Sequence, residues 1–76
     1  MNTKETVLNI LNDIKPTINL ERVKDIIDGG YLDSLELMSL ITALMETFGF
    51  ELDVEWITPD NFNSVDAITA LVERLK

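Results

Sequence analysis

Residues 33–49 read DSLELMSLITALMETFG, and this stretch determines the fold. Its large apolar side chains recur at helical spacing and fall on one broad face, formed by Leu37, Leu40, Ile41, Leu44 and Phe48. Asp33 stands before the run as a helix-capping residue, and Gly49 follows it as a stop. The stretch predicts an amphipathic helix whose apolar face belongs to a core.

Helix signals flank this stretch on both sides. Apolar residues at helical spacing predict a first helix over residues 4–14, with Asn2 or Thr3 as its N-cap. A threonine–proline pair predicts a short helix over residues 59–62, and Ser64 caps a further helix near the end of the sequence. The predicted fold class is all-α, a small bundle of three longer helices and one short helix.

Two connectors lack a helical pattern. Residues 16–33 are expected to form a long ordered loop that contains Gly29-Gly30, with one helical turn over residues 21–26. Residues 50–57 form a shorter connector that holds the single tryptophan. A connection as long as the first is uncommon in a compact domain and is more often functional than accidental.

Size and composition limit what the protein can do. The 76 residues, 46% of them hydrophobic, suffice for one globular domain, expected over residues 1–76, but leave little room to enclose a large cofactor. Fourteen acidic residues against six basic ones give a net charge of −8, which favours basic protein partners and disfavours nucleic acid. No apolar run approaches the ~20 residues of a membrane span, so we expect a cytoplasmic protein that does not insert into membranes. We also expect a monomer.

The chain contains neither cysteine nor histidine. It therefore lacks disulfides, thiolate nucleophiles, zinc–thiolate sites and the usual general base. A calcium-binding loop is not supported, because residues 25–29 lack the alternating oxygen ligands of an EF-hand. We expect no catalysis by this chain and no metal site.

Ser34 is the candidate for modification, because it lies where a glycine-containing loop meets the start of a helix. Unpaired backbone N–H groups and a partial positive charge at a helix start favour a phosphate ester there by roughly 0.3–1 kcal/mol. The alternative is that Ser34 or Asp33 is simply the N-cap. Without a histidine partner Ser34 cannot act as a nucleophile in its own right, so any modification must be made by another protein.

The stretch GYLDSL, residues 30–35, resembles the Asp-Ser-Leu attachment motif of acyl carrier proteins, in which the serine receives 4′-phosphopantetheine from coenzyme A. The resemblance covers essentially the whole sequence. It includes the acidic composition, the long loop before the motif, the second helix ending in Phe48 and the stretch NSVDAI, residues 63–68, at the start of the last helix.

The resemblance implies a non-catalytic carrier that holds acyl or aminoacyl intermediates as thioesters on the arm. A phosphopantetheinyl transferase would modify Ser34, and Asp33 is similar to the aspartate that helps to position metal-bound coenzyme A in that enzyme. Loading ligases and downstream synthases with basic docking surfaces would follow as partners. The residues that would face these enzymes are Leu35, Glu36, Met38 and Thr42.

The second helix departs from the pattern of fatty-acid carriers. In those proteins it is typically dense in acids, whereas here only Glu36 and Glu46 are acidic. Tyr31-Leu32 and the run TPDNFN, residues 58–63, are more similar to stand-alone aminoacyl carriers of the D-alanyl type, or to carriers of dedicated biosynthetic clusters. Fatty-acid, aminoacyl and secondary-metabolite biosynthesis all stay open as pathways at this point.

A hypothesis from another class is a small acidic adaptor or inhibitor that binds a basic protein surface without a covalent cofactor. The two hypotheses differ at Ser34. A carrier loses all modification and activity on Ser34→Ala, whereas an adaptor binds its partner unmodified and tolerates that substitution.

Overall fold

The computed structural model describes residues 2–76 and contains four α-helices and one short 3₁₀ segment. The helices are α1 (Thr3–Ile14), α2 (Ser34–Phe48), α3 (Pro59–Phe62) and α4 (Val65–Leu75), and the 3₁₀ segment spans Val54–Trp56. Within residues 2–76 there is no β-strand. The predicted all-α bundle of three longer helices and one short helix is confirmed.

Side-chain caps determine where the three longer helices begin. Asn2 caps α1, Asp33 caps α2 and Ser64 caps α4, each by accepting a hydrogen bond from the backbone N–H three residues later. In α1 and α2 a glutamate at the third helical position reaches back to the N-cap amide and completes a capping box. At its other end α2 stops at Gly49, whose φ of 76° is the left-handed conformation that glycine adopts without steric cost.

The core lies between the helices, with α1 packed against both α2 and α4, and α3 packed against α4. Its buried side chains are Val7 and Leu11 of α1, Leu40, Ile41 and Leu44 of α2, Phe62 of α3, and Val65, Ile68, Leu71 and Val72 of α4, joined by Leu20, Ile26 and Leu32 from the long loop. Each such residue stabilises the fold by about 1.5–3 kcal/mol. The long loop is therefore held to the bundle by three buried side chains.

The long loop contains turns rather than the helical turn predicted over residues 21–26, and that prediction is wrong. One turn closes where the Val23 N–H donates to the Leu20 carbonyl at 3.1 Å. A second turn follows Asp25, where the Gly29 N–H donates to the Asp25 carbonyl at 2.6 Å and the Tyr31 N–H donates to the Ile26 carbonyl at 3.0 Å. Burial of the Ile26 side chain sets the course of the chain here, so tertiary packing overrides the local pattern.

The second connector holds the 3₁₀ segment, which the sequence did not predict. Trp56, half-buried in this segment, lies beneath the guanidinium of Arg74, whose central carbon is 5.2 Å from the ring centroid. This distance is typical of a cation–π interaction. The pair joins the connector to the last turn of α4.

The two ends of the described chain meet through polar side chains. The Lys76 ammonium donates to the Thr3 hydroxyl at 3.1 Å and lies 3.6 Å from a carboxylate oxygen of Glu73. The Thr3 hydroxyl first, and the Lys76 charge after it, hold the pKa of the Glu73 carboxyl below its ordinary range. Among the described residues no helix is both long enough and apolar enough to cross a membrane.

Candidate functional site

Ser34 is the first residue of α2, and its side chain is exposed. The Asp33 carboxylate accepts a hydrogen bond from the Glu36 N–H, and the Asp33 carbonyl accepts one from the Leu37 N–H. Within residues 2–76 the N–H groups of Ser34 and Leu35 donate to no protein acceptor. Two backbone donors at the positive end of a 15-residue helix thus remain open beside the serine hydroxyl. This is a suitable environment for a phosphate ester on Ser34 Oγ.

Asp33 and Glu36 bracket Ser34 in a reciprocal capping box. The Asp33 carboxylate accepts from the Glu36 N–H at 2.8 Å, and the Glu36 carboxylate accepts from the Asp33 N–H at 3.0 Å. The second oxygen of Glu36 lies 3.0 Å from the ammonium of Lys15, just after α1. Both side chains of this ion pair are largely buried, so the Glu36 carboxylate makes its contacts within the protein. The ion pair joins the start of α2 to the end of α1.

A shallow groove runs along the outward face of α2. It is lined by Leu35, Met38, Ser39, Thr42, Ala43 and Glu46. Leu35 is 79% exposed and Met38 is 58% exposed, which is unusual for side chains of this size. The structure thus places three of the four predicted partner-facing residues, Leu35, Met38 and Thr42, on one surface, while Glu36 points into the Lys15 contact instead.

The residues just before Ser34 combine an exposed turn with a buried anchor. Gly29 and Gly30 are exposed, and Gly30 has a φ of 74°. Leu32 is 6% exposed and packs into the core two residues before Ser34. The segment before Ser34 is therefore held at a defined place on the surface although it contains no regular secondary structure.

Comparison with known proteins identifies the family. The model of the phosphopantetheine attachment site matches residues 5–72 of this chain. The D-alanyl carrier proteins of Lactobacillus acidophilus and Lactobacillus helveticus are each 30% identical over 77 residues, which cover 100% of this chain and 98% of theirs. The D-alanyl carrier protein of Streptococcus pyogenes matches with the same identity and coverage. The chain belongs to the phosphopantetheine-binding carrier family.

Carriers of this family are generally non-catalytic, and their cofactor is 4′-phosphopantetheine. The residues of this chain fit that group: an exposed serine, two open helix amides and a surface location that leaves a flexible arm unobstructed. Across residues 2–76, no three histidine, cysteine, aspartate or glutamate side chains are arranged to hold a metal ion.

The contacts of Lys15 and Asn63 were not predicted from the sequence. Lys15 directly follows a predicted helix, and a lysine there is common enough to carry no signal. Asn63 lies between α3 and α4, and its side chain contacts the long loop 35 and 36 residues earlier in the chain. Contacts at that sequence separation depend on the tertiary fold, so local pattern could not have found them.

Proposed function

We propose that residues 1–76 act as one carrier domain, that phosphopantetheine is attached to Ser34, and that the cargo is a small aminoacyl group, with D-alanyl as the first candidate. The observation that carries the attachment site is the exposed Ser34 hydroxyl at the start of α2, beside two backbone N–H groups with no acceptor in the described chain. Those N–H groups and the helix dipole favour the phosphodiester formed there.

Attachment requires a separate transferase and coenzyme A. Ser34 Oγ forms a new bond to phosphorus, the P–O bond within the pyrophosphate of coenzyme A breaks, and adenosine 3′,5′-bisphosphate leaves. The hydroxyl proton passes to a base of the transferase, since the chain has no histidine to accept it. Once attached, the arm supplies the thiol on which a thioester forms, which explains how a chain without cysteine supports thioester chemistry.

The aminoacyl cargo is supported by the relatives and by the charge on α2. Full-length relatives in three species are D-alanyl carrier proteins. On α2 only Glu36 and Glu46 are acidic, and the Lys15 ion pair neutralises Glu36. Glu46 alone lines the outward groove with a charge, so an enzyme that reads a dense acidic helix would find little to bind here.

The proposed partners are a phosphopantetheinyl transferase, an aminoacyl-loading ligase and a downstream acceptor enzyme. They would contact Leu35 and Met38 in the groove, where apolar area can be buried, and basic residues on their surfaces would meet the net negative charge of the carrier. We place this exchange in the cytoplasm, where coenzyme A is available to the transferase.

The test is to incubate the protein with coenzyme A, magnesium and a promiscuous phosphopantetheinyl transferase and to record intact mass. Ser34→Ala removes the proposed nucleophile, and Ser39→Ala is the matched control because Ser39 is also exposed on α2, in the groove. We expect one added phosphopantetheinyl group in the wild type and in Ser39→Ala, and none in Ser34→Ala.

A second step tests the cargo. The modified protein is incubated with ATP, a D-alanine–carrier ligase and either D-alanine or L-alanine, and the thioester is detected by mass and by its release with hydroxylamine. Loading of D-alanine supports the aminoacyl proposal. Absence of modification in the folded wild type would instead leave an acidic adaptor, and modification without D-alanine loading would remove only the cargo assignment.

A further inference from the structure

Asn63 connects the junction of α3 and α4 to the loop that leads to Ser34. Its side-chain oxygen accepts from the N–H of Ile27 at 3.0 Å and from the N–H of Asp28 at 3.1 Å. Its side-chain nitrogen donates to the Asp28 carboxylate at 3.0 Å, and its backbone carbonyl accepts from the Ile26 N–H at 2.8 Å. One asparagine thus makes four hydrogen bonds to three consecutive loop residues, and we call this set the Asn63 clasp.

The clasp acts on a segment with few other hydrogen bonds to the helices. In the described chain, the remaining backbone hydrogen bonds of residues 16–31 are made to residues at most five positions away. Such bonds shape turns but do not fix the loop relative to α2 or α4. Buried Ile26 and Leu32 anchor the loop by packing. The clasp also fixes the orientation of the loop, because the Asn63 side-chain oxygen accepts from two loop N–H groups at once.

The clasped segment lies close to the attachment serine along the chain. Gly30 precedes Ser34 by four residues, a span of at most about 14 Å even when extended. A transferase that covers a standard interface of about 800 Å² on this protein reaches roughly 16 Å from its centre. An enzyme centred on Ser34 therefore also reaches Gly30, the nearest residue of the exposed tip formed by Asp28, Gly29 and Gly30.

We propose that Asn63 is a positioning residue for modification of Ser34, holding the loop tip in the conformation that the transferase binds. This role rests on the proposed function of Ser34. Within residues 2–76 the side-chain hydrogen bonds of Asn63 go to the loop and none goes to Ser34, so Asn63 acts through the loop. When a loop becomes ordered only on binding, the cost of ordering it weakens binding of the transferase without changing the chemical step.

The experiment measures kcat and KM of the purified full-length chain as substrate for a phosphopantetheinyl transferase, at a temperature where circular dichroism shows every variant folded. Asn63→Ala removes the three side-chain bonds of the clasp. Asn61→Ala is the matched control, since the Asn61 amide donates to the Trp56 carbonyl at 2.9 Å and, within residues 2–76, forms no hydrogen bond with the loop. We expect KM to rise about tenfold in Asn63→Ala with kcat within about twofold, and neither to change in Asn61→Ala.

A compensating pair of substitutions separates positioning from general packing. Asn63→Asp keeps an acceptor for both loop N–H groups but places a second carboxylate beside that of Asp28, so KM rises. Asp28→Asn alone retains the acceptor oxygen for the Asn63 amide, and its KM gives the effect of removing the Asp28 charge from the exposed tip. Asn63→Asp combined with Asp28→Asn keeps the two bonds from the loop N–H groups and restores the side-chain bond with donor and acceptor exchanged, so KM falls back toward the value of Asp28→Asn.

Amide hydrogen exchange provides an independent readout. In Asn63→Ala the N–H groups of Ile27 and Asp28 lose their acceptor, and we expect their exchange to accelerate about tenfold while amides in α1 and α4 stay protected. A KM equal to wild type in Asn63→Ala, or no recovery in the double variant, overturns the positioning role of Asn63 but leaves the proposed function of Ser34 standing. Failure of the wild type to be modified overturns the proposed function of Ser34 and this inference together.

Discussion

Asp33 has two proposed roles, as the cap of α2 and as the carboxylate that a transferase uses, and substitution can separate them. Asp33→Ala removes the acceptor of the Glu36 N–H, now 2.8 Å away, and ends the reciprocal capping box. Loss of such a cap costs about 1 kcal/mol of unfolding free energy, which for a domain of this size lowers Tm by about 4–8 °C. Asp33→Asn keeps the acceptor oxygen, and asparagine caps about as well as aspartate, so we expect its stability within about 0.5 kcal/mol of wild type.

The assay pairs urea unfolding with the rate at which a transferase modifies Ser34. If the charge is used by the transferase, kcat/KM falls for both Asp33→Asn and Asp33→Ala, although only the alanine variant is destabilised. Asn2→Ala is the control, because Asn2 caps α1 with the same type of capping box far from the attachment motif in sequence; it should lose about 1 kcal/mol and keep its modification rate. Full stability of Asp33→Ala would refute the capping argument, and a wild-type rate for Asp33→Asn would refute the role of the charge.

Three further predictions concern the loop, the groove and the chain end. Gly29→Ala places a Cβ 2.7 Å from the Asp25 carbonyl oxygen, so it should cost about 1–3 kcal/mol in urea unfolding; an unchanged midpoint would contradict the close approach. Leu35→Ala and Met38→Ala remove exposed side chains, so they should shift stability by less than about 0.5 kcal/mol yet slow loading by the partner ligase; unchanged loading in both would exclude the groove as the docking surface. Because folding lowers the pKa of Glu73, the ionised carboxylate stabilises the fold at neutral pH, and this stabilisation is lost as acid protonates the carboxylate. Glu73→Gln should therefore lose less stability than wild type as the pH falls in urea unfolding. Identical stability–pH profiles for the two proteins would contradict this prediction.

The helices and their caps could be predicted because their determinants are local. The apolar face of α2, the Asp33 cap and the Gly49 stop all lie within 17 residues of one another, and each acts through backbone geometry that neighbouring residues set. The same holds for α3, whose proline occupies the first helical position as expected. Leu35 is exposed for the same reason, because helical spacing places it on the far side of α2 from the apolar face.

The long loop and the contacts around the site could not be predicted in this way. The clasp of Asn63 joins segments separated by 35 residues or more, which local periodicity does not relate. The turn after Asp25 depends on burial of Ile26 in the core. Glu36 shows the limit most directly. From its position on α2 it was expected to face partner enzymes, and that role stays a prediction, but only the fold brings Lys15 to within 3.0 Å of it.

Trp56, in contact with Arg74, gives the protein an intrinsic fluorescent probe. Trp56 is the single tryptophan of the chain, so its fluorescence arises from one place, and we expect that emission to change when α4 separates from the second connector, because the Arg74 cation then leaves the ring. Neither residue belongs to α2 or to the loop before Ser34. Emission can therefore follow the integrity of the bundle in real time during modification and loading assays, without an added dye and without altering α2 or the loop before Ser34.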